Sequence, residues 1–237
     1  MTRMIQQILS SNLAAVEQRI AAACKRAGRA RSEVTLVAVT KSVSAEVAGW
    51  LSVLGVKHLG ENRPQELERK AAVLETSIQW HMIGHLQRNK VERMVSLACL
   101  IHSVDSVRLL QALEKEAGKQ NKTVPVLLEV NVSGEGSKQG FEAKDIPQLT
   151  APLRALRHIH VKGLMTMAAL QEPQACRPSF ALLRELRDRL RAELEPPHTL
   201  EHRSMGMSND FEVAVEEGAT FVRLGSVLFQ GLPGAET

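Results

Sequence analysis

Eight short runs of aliphatic and β-branched residues recur along this chain, each followed by a stretch with helical spacing. This alternation constrains the fold more than any other feature. The runs are Thr35–Thr40, Lys57–Gly60, Ile78–Ile83, Leu100–Val104, Val124–Val132, Ile159–Met167, Leu200–Met205 and Thr220–Leu224. Between them the pattern predicts helices over 45–54, Pro64–Leu74 with its proline at the start, 88–97, 106–118, 145–156, 173–194 and 210–217. Strands alternating with helices form a parallel sheet with helical crossovers. Eight such units in roughly 200 residues, close to the usual size of the fold, predict an α/β architecture closed into a (β/α)8 TIM barrel. An open doubly wound sheet would carry a Gly-rich turn after its first strand; Thr40-Lys41-Ser42 stands there instead. An extra N-terminal helix precedes the barrel: Ile5, Ile8, Leu9, Leu13, Val16 and Ile20 recur at helical spacing over residues 4–24, and Gly28 is placed to end it. With no repeat, low-complexity segment or linker, residues 1–237 read as a single domain.

Hydrophobic residues make up 44% of the chain and charged residues 24%, which excludes a disordered or fibrous protein. The formal net charge is +4. Much of the excess sits in Lys25, Arg26, Arg29 and Arg31, with a second stretch at Arg88, Lys90 and Arg93. Such clusters can hold nucleic-acid phosphates. Here Glu17, Glu33 and Glu92 interleave them and no stacking aromatic lies beside them, so solvated helix faces are the favoured reading and nucleic-acid binding the lesser alternative. Cys24, Cys99 and Cys176 form neither a CxxC pair nor a disulfide framework, as expected in a reducing cytoplasm. No apolar run reaches the length of a membrane helix, and no signal-peptide core is evident.

In a barrel of this kind the C-terminal ends of the strands line the active site. That rule selects Lys41 after the first strand, Glu61 and Asn62 after the second, His81 and His85 around the end of the third, and Asp105 after the fourth. It adds Asn131 and Ser133, then Met165 and Thr166, then Ser204 to Ser208, and finally Gly225 and Ser226. Lys41 follows the apolar run Leu36–Val39, so its stem starts in the barrel mouth. A lysine partly withdrawn from water there can attack an aldehyde as the neutral amine.

The loops after the seventh and eighth strands of a barrel often hold a phosphate. Here they read Ser204-Met205-Gly206-Met207-Ser208-Asn209-Asp210 and Arg223-Leu224-Gly225-Ser226. Asn209 and Glu212 have capping-box spacing, which predicts a helix start with free N–H groups. Ser208 and Ser226 offer hydroxyl donors, and Gly206 and Gly225 permit close backbone approach. Together with Lys41 they predict a lysine-plus-phosphate pocket. The rival chemistries are weaker. His81 and His85 lack a third metal ligand and do not have helical metal-site spacing. Glu61 and Asp105 could form an acid/base pair, but structural carboxylates are the plainer reading. No nucleophile elbow of the GxSxG type occurs.

These stretches also resemble the pyridoxal phosphate homeostasis proteins of the YggS/PROSC family. The matching segments are Leu36–Ser42 (LVAVTKS), Gly60–Asn62 with Gln65-Glu66-Leu67, Gln79–Lys90 (QWHMIGHLQRNK), His102–Ser106 (HSVDS), Glu129–Gly140 with its SGEGSKQG tail, Gly163–Met167 (GLMTM), Ser204–Asp210 (SMGMSND) and Val222–Ser226 (VRLGS). The family is similar in fold to the barrel domain of alanine racemase. The resemblance implies that the cofactor is pyridoxal 5'-phosphate (PLP), held as a Schiff base on Lys41, with Arg223 facing the pyridine nitrogen. Ser208, Gly225 and Ser226 would hold the phosphate near the Met207 backbone, and Asn62, His81, Met165 and Ser204 would line the pocket. The chain departs from the family pattern at Arg63, where Tyr is common, at Arg203, where Leu is usual, and over 230–233, where an FGxR ending is replaced.

The implied role is PLP homeostasis, meaning storage and delivery of a reactive aldehyde, with PLP-dependent apo-enzymes as expected recipients. The alternative is a PLP-dependent amino-acid racemase. Two observations count against it. An Arg partner cannot give up a proton to the ring nitrogen, which weakens carbanion stabilisation. In alanine racemase the opposite-face base is a tyrosine from another domain of the partner subunit, and this chain has no tyrosine; His81 is the one substitute the sequence offers. Because the chain stops after one barrel, a monomer is expected.

Overall fold

The computed structural model describes residues 2–132 and 139–233, so Ser133 and most of the SGEGSKQG tail lie outside the described residues. Its strands are β1 (Thr35–Val39), β2 (His58–Glu61), β3 (Gln79–Met82), β4 (Leu100–Val104), β5 (Val124–Asn131), β6 (Phe141–Glu142), β7 (Ile159–Met165), β8 (His202–Ser204) and β9 (Phe221–Leu224). They pair in parallel in the order β4-β3-β2-β1-β9-β8-β7-β5, and β4 pairs with β5 to close an eight-stranded TIM barrel. The short β6 was not foreseen; it adds to β5 at Val130 and Asn131, outside the ring.

The helices are α1 (Thr2–Arg26), α2 (Ala45–Val53), α3 (Pro64–Ala71), α4 (Val91–Leu97), α5 (Val107–Lys119), α6 (Thr150–Arg154), α7 (Arg177–Glu193), α8 (Phe211–Glu216) and α9 (Ser226–Phe229). Gly28 leaves α1 in the left-handed region at φ 65°, as its position predicts. Asn12 of α1 donates to Leu228 O and Gln230 O, which ties the helix to the end of the barrel. The expected helix over 145–156 is instead a 3-10 turn, Ala143–Leu149, followed by the five-residue α6. Pro147 and Pro152 remove the N–H groups that a continuous α-helix needs.

Most of the apolar core lies between the strands and the surrounding helices. Inside the ring the packing differs from the usual layers of branched aliphatics. Val37, Leu100, Leu127, Met165 and Phe221 form one small apolar cluster there. Much of the remaining interior is polar, as described below. The basic stretch near α1 is spent internally: Arg26 pairs with Glu216, Arg29 with Glu33 and Arg31 with Glu17, while Arg93 of the second stretch pairs with Glu68.

Candidate functional site

Thr40 ends the first barrel strand fully buried, with its N–H donating to Gly60 O at 3.0 Å. The chain then turns outward, and Lys41 is exposed rather than partly withdrawn from water. The buried lysine is Lys70 of α3. Its Nζ donates to Thr40 O and to Glu61 Oε1, each at 2.6 Å, and the Glu61 and Lys70 side chains have no exposed surface. Thr40 Oγ1 donates to the same Glu61 oxygen at 2.6 Å. Glu61 is therefore structural, and Lys41 is the lysine of this cluster that a solute can reach. Sequence reasoning missed Lys70. The available signal was its place on the buried stripe Pro64, Leu67, Lys70 of an amphipathic helix.

Arg223, four per cent exposed, anchors a second network. Its Nη1 donates to Ser204 Oγ at 2.6 Å and its Nη2 to Thr166 O at 2.9 Å. Ser204 Oγ lies 2.8 Å from His102 Nδ1, His102 Nε2 lies 2.8 Å from His81 Nδ1, and His81 Nε2 lies 2.9 Å from His58 Nδ1. The chain of bonds crosses the barrel interior from β9 through β8, β4 and β3 to the start of β2. Burial holds the His81 imidazole down to about 3 and His102 well below its ordinary range, so both rings are neutral at pH 7. A neutral ring donates once and accepts once, so all the rings share one polarity. Burial also lowers the Arg223 guanidinium to about 10, which leaves it charged at pH 7. His81 thus sits within the barrel with both ring nitrogens engaged. The sequence singled it out as a pocket residue; the structure makes it part of the support beneath Arg223. Met165, also expected in the pocket, lies in the interior apolar cluster.

The two loops expected to hold a phosphate do converge. Gly225 N and Val227 N both approach Ser208 Oγ at 3.4 Å. A Cβ on Gly225 would lie 3.3 Å from Val39 O, so this loop rests directly against the end of β1, two residues before Lys41. Ser226 is exposed beside it. The predicted capping box is absent. α8 starts at Phe211, Asn209 Nδ2 donates to Gln171 O, and buried Asp210 takes the Met207 N–H on Oδ1 at 2.6 Å. The Met207 amide is thereby engaged within the loop.

Asn62 is half-buried, and Gly84 packs on its backbone so closely that a Cβ there would lie 2.2 Å from Asn62 O. His85 and Asp105 pair with each other at 3.0 Å and part company with His81. Glu129, at the end of β5 and nearly buried, was not singled out from sequence. Burial, with the Asp105 carboxylate adding to it, pushes its carboxyl up to about 7. Of the departures from the family pattern, Arg63 is exposed, Arg203 Nε donates to Gly218 O at 2.6 Å, and Leu232 is buried.

Residues 11–233 match the family described as alanine racemase, N-terminal domain. The pyridoxal phosphate homeostasis protein of Aquifex aeolicus is 44% identical over 219 residues, covering 92% of this chain and 95% of that one. This chain belongs to the pyridoxal phosphate homeostasis protein family. The Pseudomonas aeruginosa relative is 38% identical, covering 93% of this chain and 94% of its own. Among solved structures, PipY of Synechococcus elongatus PCC7942 with PLP bound superimposes with a TM-score of 0.81 at 32% identity, over 93% of this chain and 99% of that chain. Alanine racemase of Corynebacterium glutamicum, at 15% identity and a TM-score of 0.70, shares the fold over 96% of this chain and 63% of its own.

Proposed function

We propose that this chain holds PLP on Lys41 for cofactor homeostasis, without catalytic turnover. The observation that carries the reading is the contact of the Gly225 loop with the end of β1. It brings the amides of Gly225 and Val227 and the hydroxyl of Ser208 to the same side of the barrel mouth as Lys41. The β1–β9 register, with Val37 beside Arg223, puts the guanidinium a few residues below both.

The donor set fits the cofactor. Two backbone N–H groups and two serine hydroxyls suit a phosphate. The 3.4 Å approaches to Ser208 Oγ are long enough that a phosphate oxygen would be the better acceptor. A buried guanidinium held by Ser204 and Thr166 suits a ring nitrogen that accepts and does not donate. When bound, the cofactor supplies an aldehyde that condenses with an amine and an aromatic ring that can draw electrons. The protein's part is to present Lys41, bind the phosphate and keep the ring nitrogen free of a proton. An arginine there disfavours the electron-sink chemistry that turnover needs. Asn62 completes the mouth. A soluble monomer that passes the cofactor to PLP-dependent apo-enzymes in the cytoplasm belongs to the same reading. Among the described residues, no helix is long and apolar enough to cross a membrane.

The decisive experiment is borohydride reduction of the purified protein with peptide mapping. The label is expected on the peptide containing Lys41, and Lys41→Ala should lose the Schiff-base absorption. A label on another lysine would overturn the assignment.

A further inference from the structure

The Glu61–Lys70 pair is an expensive feature. Two ionised side chains with no exposed surface cost several kcal/mol each in desolvation, and apolar replacements of such pairs are often neutral or stabilising. Stability alone does not account for a pair of this kind. What distinguishes it is its target. Lys70 Nζ donates to Thr40 O, and Thr40 O belongs to the same peptide unit as the Lys41 nitrogen. That carbonyl also accepts from Val43 N at 3.1 Å. Thr40 is further held through its own N–H, to Gly60 O, and its hydroxyl, to Glu61. The carbonyl of the peptide that carries Lys41 is thus held by two donors, and the Thr40 residue behind it by two further bonds, although Lys41 itself stands exposed in a turn.

We infer that Lys70 and Glu61 are positioning residues for Lys41: they fix the peptide plane from which the reactive lysine projects. This rests on the reading of Lys41 as the cofactor lysine. A long flexible amine pays for its freedom when it must meet an aldehyde anchored elsewhere by its phosphate. Fixing its root raises the effective concentration of the amine at that aldehyde. Glu61 is needed to make Lys70 tolerable in the interior and to orient its Nζ toward Thr40. Its second oxygen, Oε2, is buried without a partner, the cost of placing Oε1 between Lys70 and Thr40.

The test compares the wild-type holoprotein with the paired variant Glu61→Gln/Lys70→Met, which removes both charges while keeping volume and leaves the Thr40 hydroxyl an acceptor. PLP bound in total is measured after gel filtration, and the covalent share by borohydride trapping and Schiff-base absorption. The paired variant should still take up PLP through its phosphate contacts, while the covalent share at Lys41 falls about tenfold or more. A lower melting temperature with an unchanged covalent share would overturn the inference and leave the pair a structural element only. If the wild type itself traps no label at Lys41, the functional reading fails first and the inference with it. Backbone 15N relaxation of the wild type serves if the variant does not fold. The Lys41 amide should be as ordered as β1, with an order parameter of about 0.85, whereas a value below about 0.6 would show that nothing fixes it.

Discussion

Ser204 Oγ accepts a hydrogen bond from Arg223 Nη1 at 2.6 Å, and the same oxygen lies 2.8 Å from His102 Nδ1. One serine therefore joins the guanidinium proposed to face the cofactor ring to the histidines of the barrel interior. Arg223 can only donate, so Ser204 must accept there in every protonation state of the chain.

Ser204→Ala removes that acceptor. A buried charged donor is left short of one partner, which costs about 1–3 kcal/mol. Urea denaturation should show a loss of that size, and PLP titration should show weaker binding because the guanidinium is no longer held. Unchanged stability and affinity would mean that Thr166 O alone fixes Arg223.

Ser208→Ala with Ser226→Ala tests the phosphate loops. Charge-assisted hydrogen bonds supply much of the affinity for a phosphate. The paired variant should weaken PLP binding by about a hundredfold or more, each lost bond to a charged group being worth about 1.5–3 kcal/mol. Binding of unphosphorylated pyridoxal should barely change. Equal weakening of both ligands would remove the phosphate role from these loops.

The barrel and its strand ends were legible because strand–helix alternation is a local property of the sequence. Lys41 and the two loops followed from the rule that strand ends line the mouth, and Arg223 from the family resemblance; the structure sets the Gly225 loop against the end of β1 and buries Arg223 below it. What escaped were residues whose role is set by a partner far away in the chain. Lys70 is nine residues from Glu61 but thirty from Thr40, whose carbonyl it binds. His102 and Ser204 meet across 102 residues. Side chains pointing into a closed ring meet neighbours that periodicity cannot name, so His81 looked like a pocket residue. The capping box at Asn209 failed for a local reason: Asp210, one residue later, is buried and takes the Met207 amide.

Buried neutral histidines make stability depend on pH. The His81 ring is held down to about 3 and His102 well below its ordinary value of 6.5, whereas unfolded rings take up protons near 6.5. Between about 6.5 and 3 the unfolded chain binds more protons, so stability is fully present above 6.5 and is lost as pH falls. Each such proton contributes a slope of about 1.4 kcal/mol per pH unit. The two rings together outweigh the opposing Glu129 carboxyl below pH 6, so urea midpoints at pH 6, 5 and 4 should fall. A flat profile would mean that the rings are solvated.

Glu129 works in the opposite direction. Its carboxyl is raised from 4.5 to about 7, so the folded state keeps a proton that the unfolded chain has released. Its contribution is present below 4.5 and is lost as pH rises through 7. Glu129→Gln should therefore stabilise the protein at pH 8 by about 1–3 kcal/mol, on the scale of 1.4 kcal/mol for each pKa unit, and change little at pH 4.5. A variant no more stable than the wild type at pH 8 would show that this carboxylate is well solvated.

The protein is expected not to racemise amino acids at an enzymatic rate. Racemisation needs a proton removed from one face of the substrate carbon and returned to the other. Lys41 can serve one face once its amine is free. The sequence contains no tyrosine for the opposite face. His81, the substitute considered from sequence, is held at 2.9 Å and 2.8 Å by His58 and His102 inside the barrel. A positioned acid or base typically contributes about 10²–10⁴-fold, so its loss is decisive. Facing the ring nitrogen as proposed, Arg223 would leave that nitrogen without a proton and so reduce the remaining chemistry. Near the mouth, Glu129 holds a proton close to pH 7 and is the group to watch. The measurement is deuterium incorporation from solvent at Cα, with chiral analysis of the recovered amino acid. Slow exchange with retained configuration is the expected outcome, because a single amine removes and returns the proton on one face. Rapid inversion of alanine or serine, lost in Glu129→Gln, would make this protein a racemase whose second base is a carboxylate.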